Sequence, residues 1–361
     1  MIKIGIVGLG LMGGSLASSI KKFVTDSEIY GLDLPDIENI ALDKGIIDFA
    51  VDNVEDFPEG LDILFLASPI SVNLSYLDRI SKIEKLKKTL VTDLGSTKVS
   101  FMEKAQKLVE NGYNVLGGHP MVGSEKSGIE AINPYLYQNA VYILCLPDGF
   151  DIDSKNFKLF IDILYTIGAR IIKLDAHKHD FIISRISHLP HIIAVSLINF
   201  IEKYPDSQSF YKFAGGGYRD LTRIANSSVS LWKDILLNNK GNVISSINDF
   251  IEYLYDIIDF LKDGKIEKEL QKARRVRAEL PADNKGFINP LSSIRVEIED
   301  KVGVLSDITT ILAGAGISIK DIAILKIREN LGGVLELSFD DFKTANKAKF
   351  LLNQKGYEII T

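Results

Sequence analysis

Apolar residues recur through the first half of the chain in short runs, at 2–7, 28–33, 62–67, 89–93 and 113–117, with amphipathic stretches between them near 13–23, 37–44, 71–81 and 98–110. That alternation predicts a mostly parallel sheet with helices on both faces. Further runs at 140–146 and 169–174, flanking a helical pattern at 154–167, extend the same sheet. After Asp175 the pattern becomes almost purely helical, with candidate helices near 178–203, 218–225, 228–239, 242–263 and 265–279. This helical part is too rich in apolar surface to stand alone comfortably, and tails of this kind often complete an active site and a dimer. A polar stretch punctuated by Pro281, Gly286 and Pro290 then reads as a linker. Beyond it the order is strand (292–298), helix (304–314), strand (317–327), strand (332–339), helix (342–354), strand (357–360), which is the ferredoxin-like βαββαβ order. Asn330, Gly332 and Gly333 supply the turn between its central strands.

Composition narrows the function classes. The chain has 361 residues, of which 46% are apolar and 25% charged, as in ordinary globular proteins. A formal net charge of -6 argues against nucleic acid as a partner. The basic cluster at 272–277 reads as a solvated or substrate-side helix face. One cysteine, Cys145 in a strand-like run, excludes an internal disulfide framework or a cysteine-rich zinc site and is expected to be buried and inert. No uninterrupted apolar segment looks long enough to span a bilayer, and the N-terminus enters a strand without signal-peptide features, so a cytoplasmic protein is expected.

The first strand runs into GLGLMGG, which sets Gly8, Gly10 and Gly13 in dinucleotide-binding spacing. Gly8 permits a tight turn, Gly10 lets the backbone approach a pyrophosphate, and Gly13 allows close helix–strand packing. The intervening Leu9, Leu11 and Met12 present the amides that open the next helix, where phosphate binds. A strand before the glycines and a helix after them make the signal specific, and it predicts a Rossmann-like, doubly wound α/β sheet. Asp33, twenty residues after Gly13, is placed to accept bonds from ribose hydroxyls; with no Arg or Lys following it, NAD is favoured over NADP.

Ligands bind beyond the carboxyl ends of strands in such sheets. Ser68 and Pro69, Ser96, and His119 each follow an apolar run, so small, polar and titratable residues gather on one rim beside Gly8 and Asp33. His119 lies in GGHPMVGSEKSG, where two glycines and Pro120 hold it on a stiff, non-helical segment. Alone, the segment is as well read as a surface turn; the joint pattern favours a site. In the helical part Arg219 and Arg223 are four apart on one helix face, suited to gripping a carboxylate. His177, His179, His188 and His191 invite a metal, but His179 and His191 would stand about 18 Å apart along a straight helix, and no acidic or cysteine partner accompanies them at ligand spacing. No metal site is expected. Pro190 is expected to kink that helix.

Taken together, GLGLMGGSLA, DLGSTK, GGHPMVGSEKSG, HKHD, SHLPH and GGGYRDLTR followed by LWKDI resemble the prephenate dehydrogenase family of tyrosine biosynthesis, over roughly residues 1 to 285. The segment IEDKVGVLSDITTILAGAGISIKDI resembles a small-molecule-binding ACT domain. The resemblance implies a dinucleotide-binding domain over 1–175, a helical substrate and dimerisation domain over 176–284 and an ACT-like regulatory domain over 285–361. It implies NAD-dependent oxidative decarboxylation of prephenate to 4-hydroxyphenylpyruvate by a homodimer. Matching motifs make His119 the acceptor of the ring hydroxyl proton, with Ser96 bonded to the same hydroxyl. Arg223 would bind the ring carboxylate, Arg219 would support it, and His179, Asp180, His191 and Glu125 would line the site. Tyrosine is expected as an effector near Asp300, Val302 and Gly303, although Ser318 stands where many such domains have Asn. The alternatives are an arogenate dehydrogenase, or an NAD-binding ACT-domain regulator without catalysis. A beta-hydroxyacid dehydrogenase is discounted because arginines stand where a catalytic lysine is expected.

Overall fold

The structure is a computed structural model that describes residues 1–122, 127–279, 291–328 and 332–360. The expected linker at 280–290, Glu125 and the turn residue Asn330 lie outside the described residues. The chain forms two compact units, Met1–Ile266 and Glu267–Thr361.

The first unit opens with β1 (Ile2–Val7), α1 (Leu11–Phe23), β2 (Ser27–Leu32), α2 (Pro35–Asp43), β3 (Phe49–Ala50), β4 (Ile63–Leu66), α3 (Ile70–Ile80), β5 (Leu90–Asp93), α4 (Val99–Glu110) and β6 (Asn114–Pro120). It continues through β7 (Val141–Cys145), α5 (Lys155–Thr166) and β8 (Arg170–Lys173). These strands make one eight-stranded sheet in the order β3-β2-β1-β4-β5-β6-β7-β8. Strand alternation explains why its strands read as unbroken apolar runs. Ile4, Ile6, Ile63 and Phe65 point into one core with Leu16, Ile20, Phe160 and Leu164, while Val7, Leu64, Leu66 and Val91 point into another with Leu77, Ile80 and Phe101. The sheet is parallel except where β7 pairs antiparallel with β6, Gly118 opposite Leu144 and His119 opposite Ile143. Because β7 runs antiparallel beside β6, the end of β6 is walled on one side by an opposed strand.

The helical half follows: α6 (Ala176–Ile183), a π-helical turn at Ser184–His188, α7 (Leu189–Ile201), α8 (Ser207–Phe210), α9 (Gly216–Thr222), α10 (Val229–Asn238) and α11 (Lys240–Lys262). The expected kink at Pro190 takes the form of that π turn. The amide of Leu189 bonds back five residues to Ser184 O, and the wider turn makes room for the proline ring. The helix therefore runs on without a break from Ala176 to Ile201, 26 residues, long and apolar enough by composition to cross a membrane. The helix nonetheless buries His179, Asp180, Ser184, His188 and His191 against the rest of the unit.

The second unit carries α12 (Glu267–Glu279), β9 (Ser292–Ile298), α13 (Val304–Gly314), β10 (Asp321–Arg328), β11 (Gly332–Phe339), α14 (Phe342–Gln354) and β12 (Ile359–Ile360). Its sheet is antiparallel, ordered β10-β11-β9-β12, as the ferredoxin-like order requires. The expected strand at 317–327 starts later, at Asp321. Ile317 instead goes into the core with Val296, Ile308, Leu312 and Leu337.

Candidate active site

The glycine turn after β1 is shaped as a phosphate cradle. Gly8 has φ +93°, in the left-handed region, and a Cβ there would sit 2.8 Å from the Ala67 carbonyl carbon. A Cβ on Gly13 would lie 1.9 Å from Gly8 O, so α1 packs against β1 only because residue 13 has no side chain. A Cβ on Gly10 meets nothing within 4 Å, so the backbone there faces open space that a ligand can approach. Leu11 and Met12 begin α1, whose cap residue Gly10 offers its first amides no side-chain acceptor. Asp33 closes β2 and accepts the Leu9 amide at 2.5 Å through Oδ2, which ties the ribose-side carboxylate to the phosphate turn. Across the turn, Pro69 caps α3 and the Ser68 amide donates to Asn73 Oδ1 at 3.2 Å. These residues fit a dinucleotide.

His119 ends β6 on the same rim. Gly117, two residues earlier on the same face, has room for no side chain, since a Cβ would meet Met102 Sδ at 2.8 Å and Lys98 Cδ at 3.0 Å. A buried ion pair fixes the segment. Asp93, at the end of β5, accepts the Gly118 amide at 3.0 Å through Oδ1 and the Gly95 amide at 2.9 Å through Oδ2. Lys98 Nζ pairs with Asp93 Oδ2 and donates to Gly118 O at 2.7 Å. One carboxylate thus binds the turn carrying Ser96, which is half-buried, to the strand end carrying His119. Both charges are buried, so removing either would strand the other. Burial pushes the Asp93 carboxyl up, against the pull of Lys98.

Behind His119 lies a chain of polar groups. His119 Nδ1 is 2.8 Å from His179 Nε2, and His179 Nδ1 is 2.7 Å from Asp180 Oδ1. Asp180 in turn accepts the amides of Lys98 at 2.7 Å and Val99 at 2.9 Å, which joins the helical half to the start of α4. Asn239 donates to Asp180 O at 2.8 Å and lies 3.4 Å from His188 Nδ1. Burial holds the His119 imidazole well below its ordinary pKa, and the neighbouring His179, Lys98 and His188 push the same way. Burial also pushes His188 down to about 4 and lowers His191. At neutral pH the His119 ring is therefore uncharged, as a proton acceptor must be. His191 stacks on Trp232 with ring centroids 3.5 Å apart and planes within 3°, and Trp232 also meets the edge of His188.

The expected site residues thus divide. His119, His179 and Asp180 form one hydrogen-bonded chain and Asp93 ties the turn carrying Ser96 to the strand end carrying His119, but His179 and Asp180 are wholly buried behind His119. Arg219 and Arg223 are exposed, and they straddle the end of α9 because Thr222 is its last helical residue. Asp93, Lys98, His188 and Asn239 were not singled out as site residues; two charged residues flanking a Gly-Ser turn were the only available signal for the first pair. In the second unit a cavity of about 280 Å³ is lined by Asp300, Gly303, Ser306 and Ile324 among others. Val302 is fully exposed and is not among the lining residues, because the left-handed turn at Gly303 directs the chain into α13. The Cys145 thiol is buried and pushed up to about 12, so it is inert.

Comparison with known proteins matches this geometry to a family. Residues 16–173 match the profile for the nucleotide-binding domain of prephenate dehydrogenase, 175–274 that for its dimerization domain, and 292–344 that for the ACT domain. Prephenate dehydrogenase from Bacillus subtilis is 35% identical over 353 residues, covering 95% of this chain and 94% of that protein. The Lactococcus lactis prephenate dehydrogenase is 34% identical over 361 residues, 98% of each. The crystal structure of A. aeolicus prephenate dehydrogenase in complex with hydroxyphenyl propionate and NAD+ superposes with a TM-score of 0.69 at 32% identity, over 77% of this chain and 97% of that one. A nucleotide cradle, a buried neutral histidine on the same rim and likeness over nearly the whole length lead to one conclusion: the chain belongs to the prephenate dehydrogenase family.

Proposed function

We propose that the protein oxidises and decarboxylates prephenate to 4-hydroxyphenylpyruvate with NAD. The observation that carries this reading is the His119 imidazole, neutral and only 7% exposed, held on the rim that also bears the glycine cradle. Bound NAD supplies the hydride acceptor. His119 accepts the ring hydroxyl proton as the carbon bearing that hydroxyl loses its hydride, and Ser96 bonds the same oxygen. The ring carboxylate leaves as carbon dioxide, its bonding pair returning through the ring to restore aromaticity. His119 then gives the proton back to the phenolate oxygen. Arg223 binds the ring carboxylate, Arg219 supports substrate binding, and His191, held flat by Trp232, lines the pocket. Glu125 is assigned the same lining role on the resemblance alone. Asp33 selects NAD by leaving no place for a ribose phosphate.

Purified protein mixed with NAD and offered prephenate or arogenate tests this by nicotinamide reduction. Prephenate is the expected substrate, and activity on neither compound contradicts the proposal. His119→Asn should lower kcat by about 10²–10⁴-fold, whereas Arg223→Ala should chiefly raise KM. Equal behaviour of the two variants would refute the roles. For the second unit, tyrosine is proposed to bind the cavity at Asp300 and Gly303 and to inhibit, with Val302 outside it. Calorimetry that detects no tyrosine binding to the full chain would end that assignment.

A further inference from the structure

Only one arrangement of protons satisfies every member of the chain behind His119 while both imidazoles are neutral. Two backbone amides, from Lys98 and Val99, donate to the two oxygens of Asp180, so both oxygens serve as acceptors. His179 Nδ1, 2.7 Å from Asp180 Oδ1, must then be the donor. A neutral imidazole carries a single proton, so His179 Nε2 is bare and accepts. Its neighbour at 2.8 Å is His119 Nδ1, which must donate. His119 thus carries its proton on Nδ1 and keeps a lone pair on Nε2.

We infer that His179 and Asp180 are positioning residues that lock His119 in the tautomer whose Nε2 can take the proton of the substrate's ring hydroxyl. This rests on the proposed role of His119 and changes the expected role of the other two from lining the pocket to acting through His119. The balance is simple. The hydroxyl proton moves to Nε2, the Nδ1–H bond to His179 persists, and the imidazolium charge is met through His179 by the Asp180 carboxylate. The supports of the chain are themselves fixed. Asn242 donates to Asn239 Oδ1 at 2.8 Å, so the Asn239 amide nitrogen faces Asp180 O, and α6 is anchored at Asp180. The groups facing His119 are Lys98 from the turn before α4, already paired with Asp93, His179 from α6 and His188 from the π turn.

The direct test is ¹⁵N NMR of the histidine-labelled full chain with NAD bound, using His119→Asn to assign the signal. The expected spectrum near neutral pH shows His119 protonated on Nδ1 and bare on Nε2. A proton on His119 Nε2, or a His179 imidazolium, overturns the inference. Kinetics give an independent reading. An amide at 180 cannot accept in both positions, so Asp180→Asn should admit the wrong tautomer and lower kcat about 10³-fold with KM changed only a few-fold, by analogy with the carboxylate behind a catalytic histidine in serine proteases. His179→Phe leaves the bonds from Asp180 to α4 in place and should lower kcat about 10²-fold. A folded His179→Phe protein with wild-type kcat also overturns the inference. Absence of any prephenate turnover by the wild-type protein is the failure of the proposed function instead, and the tautomer is read without turnover, so the two failures are told apart.

Discussion

The two halves of the first unit bury their apolar residues very differently. Across the central strands β1, β4, β5 and β6 the large side chains of both sheet faces are covered, and Phe65, Phe101, Tyr137, Tyr142 and Phe160 are sealed, while Phe49 and Ile172 on the edge strands β3 and β8 are each 45% exposed. From α6 to α11 the only fully buried apolar residues are Ile183, Ala194, Ile235 and Val243. There Ile186 is 62% exposed, Leu237 59% and Leu261 60%, and Phe213, Leu221, Val229 and Tyr255 are exposed as well. The first half closes its own core. The second makes a scaffold whose uncovered apolar surface fits the dimerization domain that its residues match. What its helices do complete within one chain is polar: the His179–Asp180 chain against α4 and the His191–Trp232 stack.

Two substitutions of apolar residues separate these halves. The larger effect on folding is expected from Phe160→Ala, which empties a sealed position between β4 and α5 and should cost about 3–5 kcal/mol in denaturant unfolding. Because that core is internal, the loss should be the same at every protein concentration. The smaller effect on folding is expected from Ile251→Glu combined with Ile258→Glu, seven residues apart on one face of α11 and 44% and 45% exposed. Surface changes of this kind alter the stability of a lone chain by about 0.5 kcal/mol or less each. The mass should nevertheless fall from dimer to monomer in sedimentation, with NAD affinity unchanged. A doubly substituted protein that remains dimeric would place the interface elsewhere.

The same contrast governs what could be read from sequence. Gly8, Gly10 and Gly13 were legible because their roles belong to the backbone, and spacing alone sets them. The strands of the first half were legible because parallel strands buried on both faces are apolar throughout. The reversal of β7 was not, since a strand's direction leaves no mark on its pattern. The Asp93–Lys98 pair escaped notice because two charges five residues apart meet only after the chain has turned around Gly95. His179 and Asp180 are expected from the motif to line the site, and in the structure they lie behind His119, because a motif gives neighbourhood and not which atom faces a ligand. Continuity of the helix through Pro190 depended on the π turn, which no local preference announces.

The pH dependence of kcat/KM for prephenate, in wild-type protein and His119→Asn, reads the protonation of this imidazole during turnover. Burial and the neighbouring His179, Lys98 and His188 depress the His119 pKa in the folded protein, so the base stays unprotonated through neutral pH and well below 6.5. Wild-type kcat/KM is expected to hold from neutral pH down past 6.5 and to fall only at more acid pH, and this limb should disappear in His119→Asn together with most of the rate. An acid limb that persists unchanged in His119→Asn would contradict the claim that this imidazole takes the proton.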